Sequence, residues 1–198
     1  MADNYLERKM EEHRLNKTQR LRSSLPVKGK ISFNFPPKRV IINRQDDQLT
    51  KALIKAFAEA GCKVALYIDS ATDMTSAGGA RVIGVTGNVH DDLANVIKSW
   101  GDVDIIISSS VSPVIHDLIS EIADNRSRLP YPNDYGMRLI TIDSHDNKYS
   151  EPEPGITTNH IIVPDITDQA ISRKTALAAL FISLPEMSGV NSSTLIIT

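Results

Sequence analysis

Cysteine is nearly absent from this sequence: Cys62 stands alone among 198 residues. That excludes an intrachain disulfide and a thiolate zinc cluster. Its place between Gly61 and a strand-forming run reads as a buried structural thiol. Aromatic residues are scarce as well, at 5%, so the core must be built from aliphatic side chains. No apolar run approaches the ~18–20 residues that a membrane-spanning helix needs. No apolar leader opens the sequence, and the early acids Asp3, Glu7, Glu11 and Glu12 argue against a transit peptide. The expectation is a cytoplasmic protein. His90, His116, His145 and His160 lack the spacing of metal ligands, so no metal is expected.

What is present is ordinary in amount and uneven in placement. Hydrophobic residues make up 41% and charged residues 23%, the composition of a globular chain long enough for one full core. Residues 1–40 carry a net charge of +6 and the remainder −8. Within the basic part, Asp3 is placed to cap a helix over Asn4–Lys17 whose apolar stripe is only Leu6, Met10 and Leu15. A linker with Pro26 and Pro36-Pro37 follows. The expected organisation is a basic arm and linker over residues 1–37 and a folded domain over 38–198. The arm lacks interleaved aromatics, which makes nucleic acid the least favoured of its partners.

The domain alternates. Strands are expected at Arg39–Asn43, Lys63–Ile68, Arg81–Val85, Val103–Ser108, Met137–Ile142, His160–Val163 and Thr194–Ile197. Helices are expected at Leu49–Ala60, Val89–Trp100, Val114–Asn125 and Asp168–Leu184, each with apolar residues at helical spacing. This rhythm predicts an α/β fold, a doubly wound parallel sheet with helices on both faces. One stretch breaks it. HDNKYSEPEPGITTN, between the fifth and sixth strands, reads as an exposed loop. Gly78-Gly79 reads as another.

Four segments resemble the short-chain dehydrogenase/reductase family: RVIINRQDDQLTKALIKAFAEAGCKVALY, VIGVTGNVHDDLANVIKSWGDVDIIISSSV, GMRLITIDS and TDQAISRKTALAALFISLPEMSGVNSSTLIIT. Together they run in order through residues 39–198, and the last is the most specific. The resemblance implies a Rossmann-like fold. It also implies where the family's chemistry should lie, and there the match fails. The family's TGxxxGxG cofactor turn falls on Asn43, Arg44, Gln48 and Thr50, without a glycine. Glycines let the backbone approach a pyrophosphate, whereas Asp46 and Asp47 bring negative charge beside it. The adenine-holding Asp of the family falls on Gly84, and its NNAG falls on Ser108-Ser109-Ser110-Val111.

The family's catalysis uses a Tyr with a Lys four residues later on a helix, and a Ser on the preceding strand. Ser144 matches the Ser as a remnant. Tyr149 is the only tyrosine that follows before His160, and its partner four residues on is Glu153. The pair Tyr5 and Lys9 lies in the arm, outside the fold. Asp143-Ser144-His145-Asp146 holds the residue types of a hydrolase triad, but adjacent residues at a strand end point in different directions.

The favoured expectation is therefore a shortened, degenerate family member that does not catalyse, a pseudoenzyme serving as a structural or regulatory subunit. It would form a homo-oligomer, or assemble with an active relative, through the 168–198 helix and strand, with Ala176, Leu177, Leu180 and Phe181 supplying apolar contact. The alternative is an atypical NAD(P)-dependent oxidoreductase. There Asn43, Arg44, Asp69 and Ser108 would touch the cofactor, Arg44 meeting the 2′-phosphate of NADP and Asp69 a ribose, with Ser144 in catalysis. A nucleotide or small-ligand sensor is the third reading. Outside the cofactor role, Arg44 is expected to be a surface or loop-stabilising arginine and Asp69 a loop cap.

Overall fold

The computed structural model describes residues 38–44, 47–67, 81–83, 89–128, 136–144, 156–187 and 189–198. The elements follow as β1 (Arg39–Asn43), α1 (Gln48–Glu59), β2 (Lys63–Tyr67), β3 (Arg81–Ile83), α2 (Val89–Trp100), β4 (Ile105–Ser108), α3 (Pro113–Ser127), β5 (Met137–Asp143), β6 (Ile156–Ile162), α4 (Gln169–Ile182), a short 3₁₀ turn (Pro185–Met187) and β7 (Ser193–Ile196). All pairings are parallel, in the order β3-β2-β1-β4-β5-β6-β7. The expected helix Asn4–Lys17 and the linker lie outside the described residues, as do Asp69, Gly78-Gly79, Gly84, His145, Tyr149 and Glu153.

The alternation of β-branched runs with helices produces this sheet because each central strand is covered on both faces. Val40, Ile41 and Ile42 of β1 and Ile105, Ile106 and Ile107 of β4 are buried without exception. On one face, α2 and α3 set Leu93, Val96, Ile115, Leu118 and Ile122 against Ile41, Ile106 and Leu139. On the other face α1 packs on α4. Leu53 and Phe57 of α1 are fully buried, and α4 turns small residues inward, Ser172, Thr175, Ala176 and Ala179, which allow close approach.

Helix ends follow local chemistry. Asp168 caps α4 by accepting from Ala170 and Ile171 N–H groups at 2.6 and 3.1 Å. Pro113 opens α3, where its missing N–H costs nothing. Gly61 and Gly101 follow α1 and α2 with φ of +83°, a left-handed turn that L side chains resist.

The sixth strand begins at Ile156, four residues before the expected His160. Its opening, ITTN, has the polar composition of a loop. It is strand because Asn159 is paired inside: its Oδ1 accepts from Arg138 at 3.1 Å and its Nδ2 donates to the Val190 carbonyl at 3.1 Å. Cys62 is half-buried rather than buried. Burial raises its pKa, partly offset by a backbone hydrogen bond and the charge of Lys38.

The amino end of the sheet is tied by charge. Arg39 donates from Nε and Nη2 to the two carboxylate oxygens of Asp104 at 2.8 and 2.9 Å, and its own N–H donates to the same carboxylate at 2.8 Å. Buried Asp102 lies 3.6 Å from Arg39 and accepts from Arg126 Nε at 2.9 Å. Arg126 also reaches the Val103 carbonyl. Burial pushes the Asp104 carboxyl up, but the side-chain and backbone hydrogen bonds and the charge of Arg39 outweigh it, so its pKa is lowered. At the same end Lys38 donates to the Ser183 carbonyl at 2.8 Å, and buried Arg138 donates to the Ile182 and Met187 carbonyls. Both cations meet the negative end of the α4 dipole. Burial lowers the Arg138 pKa, yet a guanidinium stays charged at any ordinary pH.

Candidate functional site

In open parallel sheets, ligands bind outside the carboxyl ends of the strands where the strand order reverses. Here the order reverses between β1 and β4. Asn43 and Ser108 end these two strands and are partners in register. Ser144 follows β5, the next strand over. The fold thus gathers Asn43, Arg44, Ser108 and Ser144 along one edge; the fifth candidate, Asp69, lies outside the described residues.

Asp47 starts the helix at this edge. Its Oδ1 accepts from the Thr50 N–H at 2.6 Å and caps α1. An N-terminal N–H that a bound anion would use is therefore already paired with a carboxylate. Thr50 is fully buried.

Arg44 is the unexpected residue. Of its two expected places outside the cofactor role, surface or loop-stabilising, the surface one does not hold: Arg44 is 6% exposed, and its bond to Asp47 lies within the turn. Its Nη1 donates to the Ile142 carbonyl at 2.8 Å and its Nη2 to Asp47 Oδ2 at 3.2 Å. Because β4 lies between β1 and β5, a side chain running from the end of one to the other passes over the end of β4. Backbone geometry explains the acceptor. The Asp143 carbonyl faces β6, where it accepts from Val163 N–H. Successive carbonyls alternate along a strand, so the Ile142 carbonyl faces β4. The β4–β5 ladder has already ended at Ser108 and Thr141. Arg44 supplies the donor that this carbonyl would otherwise lack.

Ser108 bonds locally, its Oγ donating to the Ser110 carbonyl at 2.7 Å. Ser109 and Ser110 are exposed. Ser144 is half-buried at the end of β5, with its N–H 2.6 Å and its Oγ 3.4 Å from Asp143 Oδ1. Asn43, Ser108, Thr141, His160 and Thr194 are successive partners across β1, β4, β5, β6 and β7. Register partners share a face, so they form a polar row that meets the carboxyl edge at β1 and β4. Thr141 Oγ1 and His160 Nδ1 in this row are 2.8 Å apart, both buried. The place of His160 in this row comes from strand register, which no local sequence pattern carries. Among the described residues no three His, Cys, Asp or Glu side chains converge on one point.

The residues present do not make the cradle that a dinucleotide pyrophosphate takes. The turn has no glycine, the helix N-terminus carries a carboxylate cap, and a buried guanidinium crosses the edge.

At the β7 side of the sheet, α4 and β7 expose Leu177 (51%), Phe181 (48%), Leu195 (39%) and Ile196 (63%). This corrects the expected contact set. Ala176 and Leu180 face inward and are 1% and 3% exposed. Leu177 and Phe181 are one helical turn apart and share the outer face, as do Ala176 and Leu180 on the inner one. Among the described residues no helix is long and apolar enough to cross a membrane.

No protein-family model matches the sequence, and no curated protein matches it. Solved structures do. A hydroxysteroid dehydrogenase from Escherichia coli matches with a TM-score of 0.57 at 16% identity, over 82% of this chain and 95% of its own. A short-chain dehydrogenase/reductase from Serratia marcescens matches at 0.55 and 14%, over 83% and 98%. BdcA of E. coli, solved in complex with NADPH, matches at 0.53 and 15%, over 83% and 94%. The parallel sheet, its strand order and these likenesses together establish that the chain has the fold of the short-chain dehydrogenase/reductases.

Proposed function

We propose that this chain is a non-catalytic protein of the short-chain dehydrogenase/reductase fold, acting as a structural or regulatory subunit. The observation that carries the reading is the Arg44 bridge from the end of β1 to the Ile142 carbonyl and Asp47, at the carboxyl edge where open parallel sheets form their ligand crevice. The residues between β5 and β6 add support: 144–155 hold no Tyr followed four residues later by Lys. The exposed side chains Leu177, Phe181, Leu195 and Ile196 supply the assembly surface, with a second copy or an active relative as the partner.

Titration with NADPH, followed by the nucleotide's fluorescence, tests this reading. The expected outcome is no saturable change at micromolar concentrations, with no hydride transfer to carbonyl substrates. Saturable binding would overturn it.

The second reading, an atypical NAD(P)-dependent oxidoreductase, is favoured by two observations. Ser144 stands at the end of β5, and BdcA, with the same fold, is a protein solved with NADPH. It requires Arg44 to leave its internal partners. Its signature is turnover that Ser144→Ala abolishes. A sensor reading predicts instead a thermal shift with a nucleotide or acyl ligand and no turnover.

A further inference from the structure

We infer that Arg44 is a built-in occupant of the crevice: its guanidinium holds β1, α1 and β5 together across the end of β4 and so closes the crevice from within. The inference rests on the non-binding reading above and deepens it by naming the residue that does the closing.

Three geometric facts converge. The first is the span. Arg44 follows β1 directly, and its Nη1 meets Ile142 on β5 at 2.8 Å, two strands away. The second is the need for the donor. The Ile142 carbonyl points to the β4 side beyond the last β4–β5 pair, and a buried carbonyl left unpaired costs free energy. The third is the coupling to the helix. Asp47 holds the Arg44 Nη2 with one oxygen and caps α1 with the other, so one carboxylate joins the guanidinium to the start of the helix. A planar fork with donors in fixed directions can serve a carbonyl and a carboxylate at once; a lysine ammonium on a flexible stem does so less well.

The cation is also neutralised where it sits. Asp47 supplies a negative charge at 3.2 Å. Two of the five guanidinium N–H groups are held by these internal partners, and a phosphate competing for them would meet the negative charge of Asp47. Arg44 thus stands as an internal counterpart to the ligand, contributing stability to the chain's own fold.

Chemical rescue tests the lock. Arg44→Ala removes the fork and leaves a guanidinium-sized space. Its folded-to-unfolded ratio in urea should fall about five- to hundredfold, the range for an unpaired buried polar group. Methylguanidinium at low millimolar concentration should restore part of that ratio for Arg44→Ala. It should leave unchanged both the wild type and Arg44→Met, whose stem fills the space without donors. Arg44→Lys should fall between the two, and it supplies the measurement if Arg44→Ala does not fold. The lock is overturned if Arg44→Ala and Arg44→Lys match the wild type in urea, or if methylguanidinium stabilises all variants alike. Saturable NADPH binding by the wild type is a separate result, which overturns the non-binding reading whatever the urea curves show.

Discussion

Two arginines sit at opposite ends of the same short strand, and their surroundings differ. Arg39, at the amino end of β1, is gripped by both oxygens of Asp104 and lies beside Asp102, within a network that includes Arg126. Arg44, at the carboxyl end, has one carboxylate, one carbonyl and a deeper burial. The amino end of such a sheet carries no ligand site, so charges there are free to be optimised for cohesion. The carboxyl end is where a ligand crevice forms, and here a single side chain spans it. The difference teaches that a crevice can be closed with few interactions when the chain supplies its own cation.

The comparison can be broken first at its stronger end. Asp104→Ala leaves Arg39 half-buried without its bidentate partner, and removing one partner of a buried pair costs about 3 kcal/mol. Urea unfolding with an unchanged m-value should report that loss. Arg44→Met should cost less, about 1–3 kcal/mol, through the orphaned Ile142 carbonyl. Equal losses at the two ends would remove the distinction drawn here.

Acid sharpens the contrast. The folded Asp104 pKa lies below its unfolded value of about 3.9. Its contribution is therefore complete above the unfolded value, declines as pH falls through that value, and is gone below the folded pKa. Stability measured from pH 6 downward should drop through that window, and Asp104→Asn should flatten the drop. An unchanged slope in Asp104→Asn would assign the acid sensitivity to other carboxylates.

The smallest effect on folding is expected at the outer face of α4. Leu177→Ser with Phe181→Ser should change unfolding free energy by no more than about 0.5 kcal/mol, since both are half exposed. The same pair should shift any oligomer toward monomer in sedimentation analysis. Retained assembly would move the proposed partner surface elsewhere.

Much of this fold was legible because periodicity is a local signal. Isoleucine runs mark β1 and β4, and Leu53, Ile54 and Phe57 mark α1 at helical spacing. The opening of β6 was not legible, since Thr157, Thr158 and Asn159 look like loop until Arg138 and Val190 are seen to pair with the asparagine. The site was legible only in outline. The absent glycines were plain; that Asp47 caps α1 was not. That Arg44 would be buried was not. Its acceptor is 98 residues away and faces it only because β4 ends one residue before it is needed. The facing of Leu177 and Phe181 against Ala176 and Leu180 likewise depended on which side of α4 meets α1.

The closed crevice is tested most directly by titrating the wild-type chain with NADPH and following nucleotide fluorescence, with BdcA of E. coli, solved with NADPH, as the positive control. The account predicts saturable binding to BdcA and none to this chain at micromolar concentrations. Saturable binding to this chain that Arg44→Ala weakens would contradict it, and would make Arg44 a cofactor ligand instead of the residue that closes the edge.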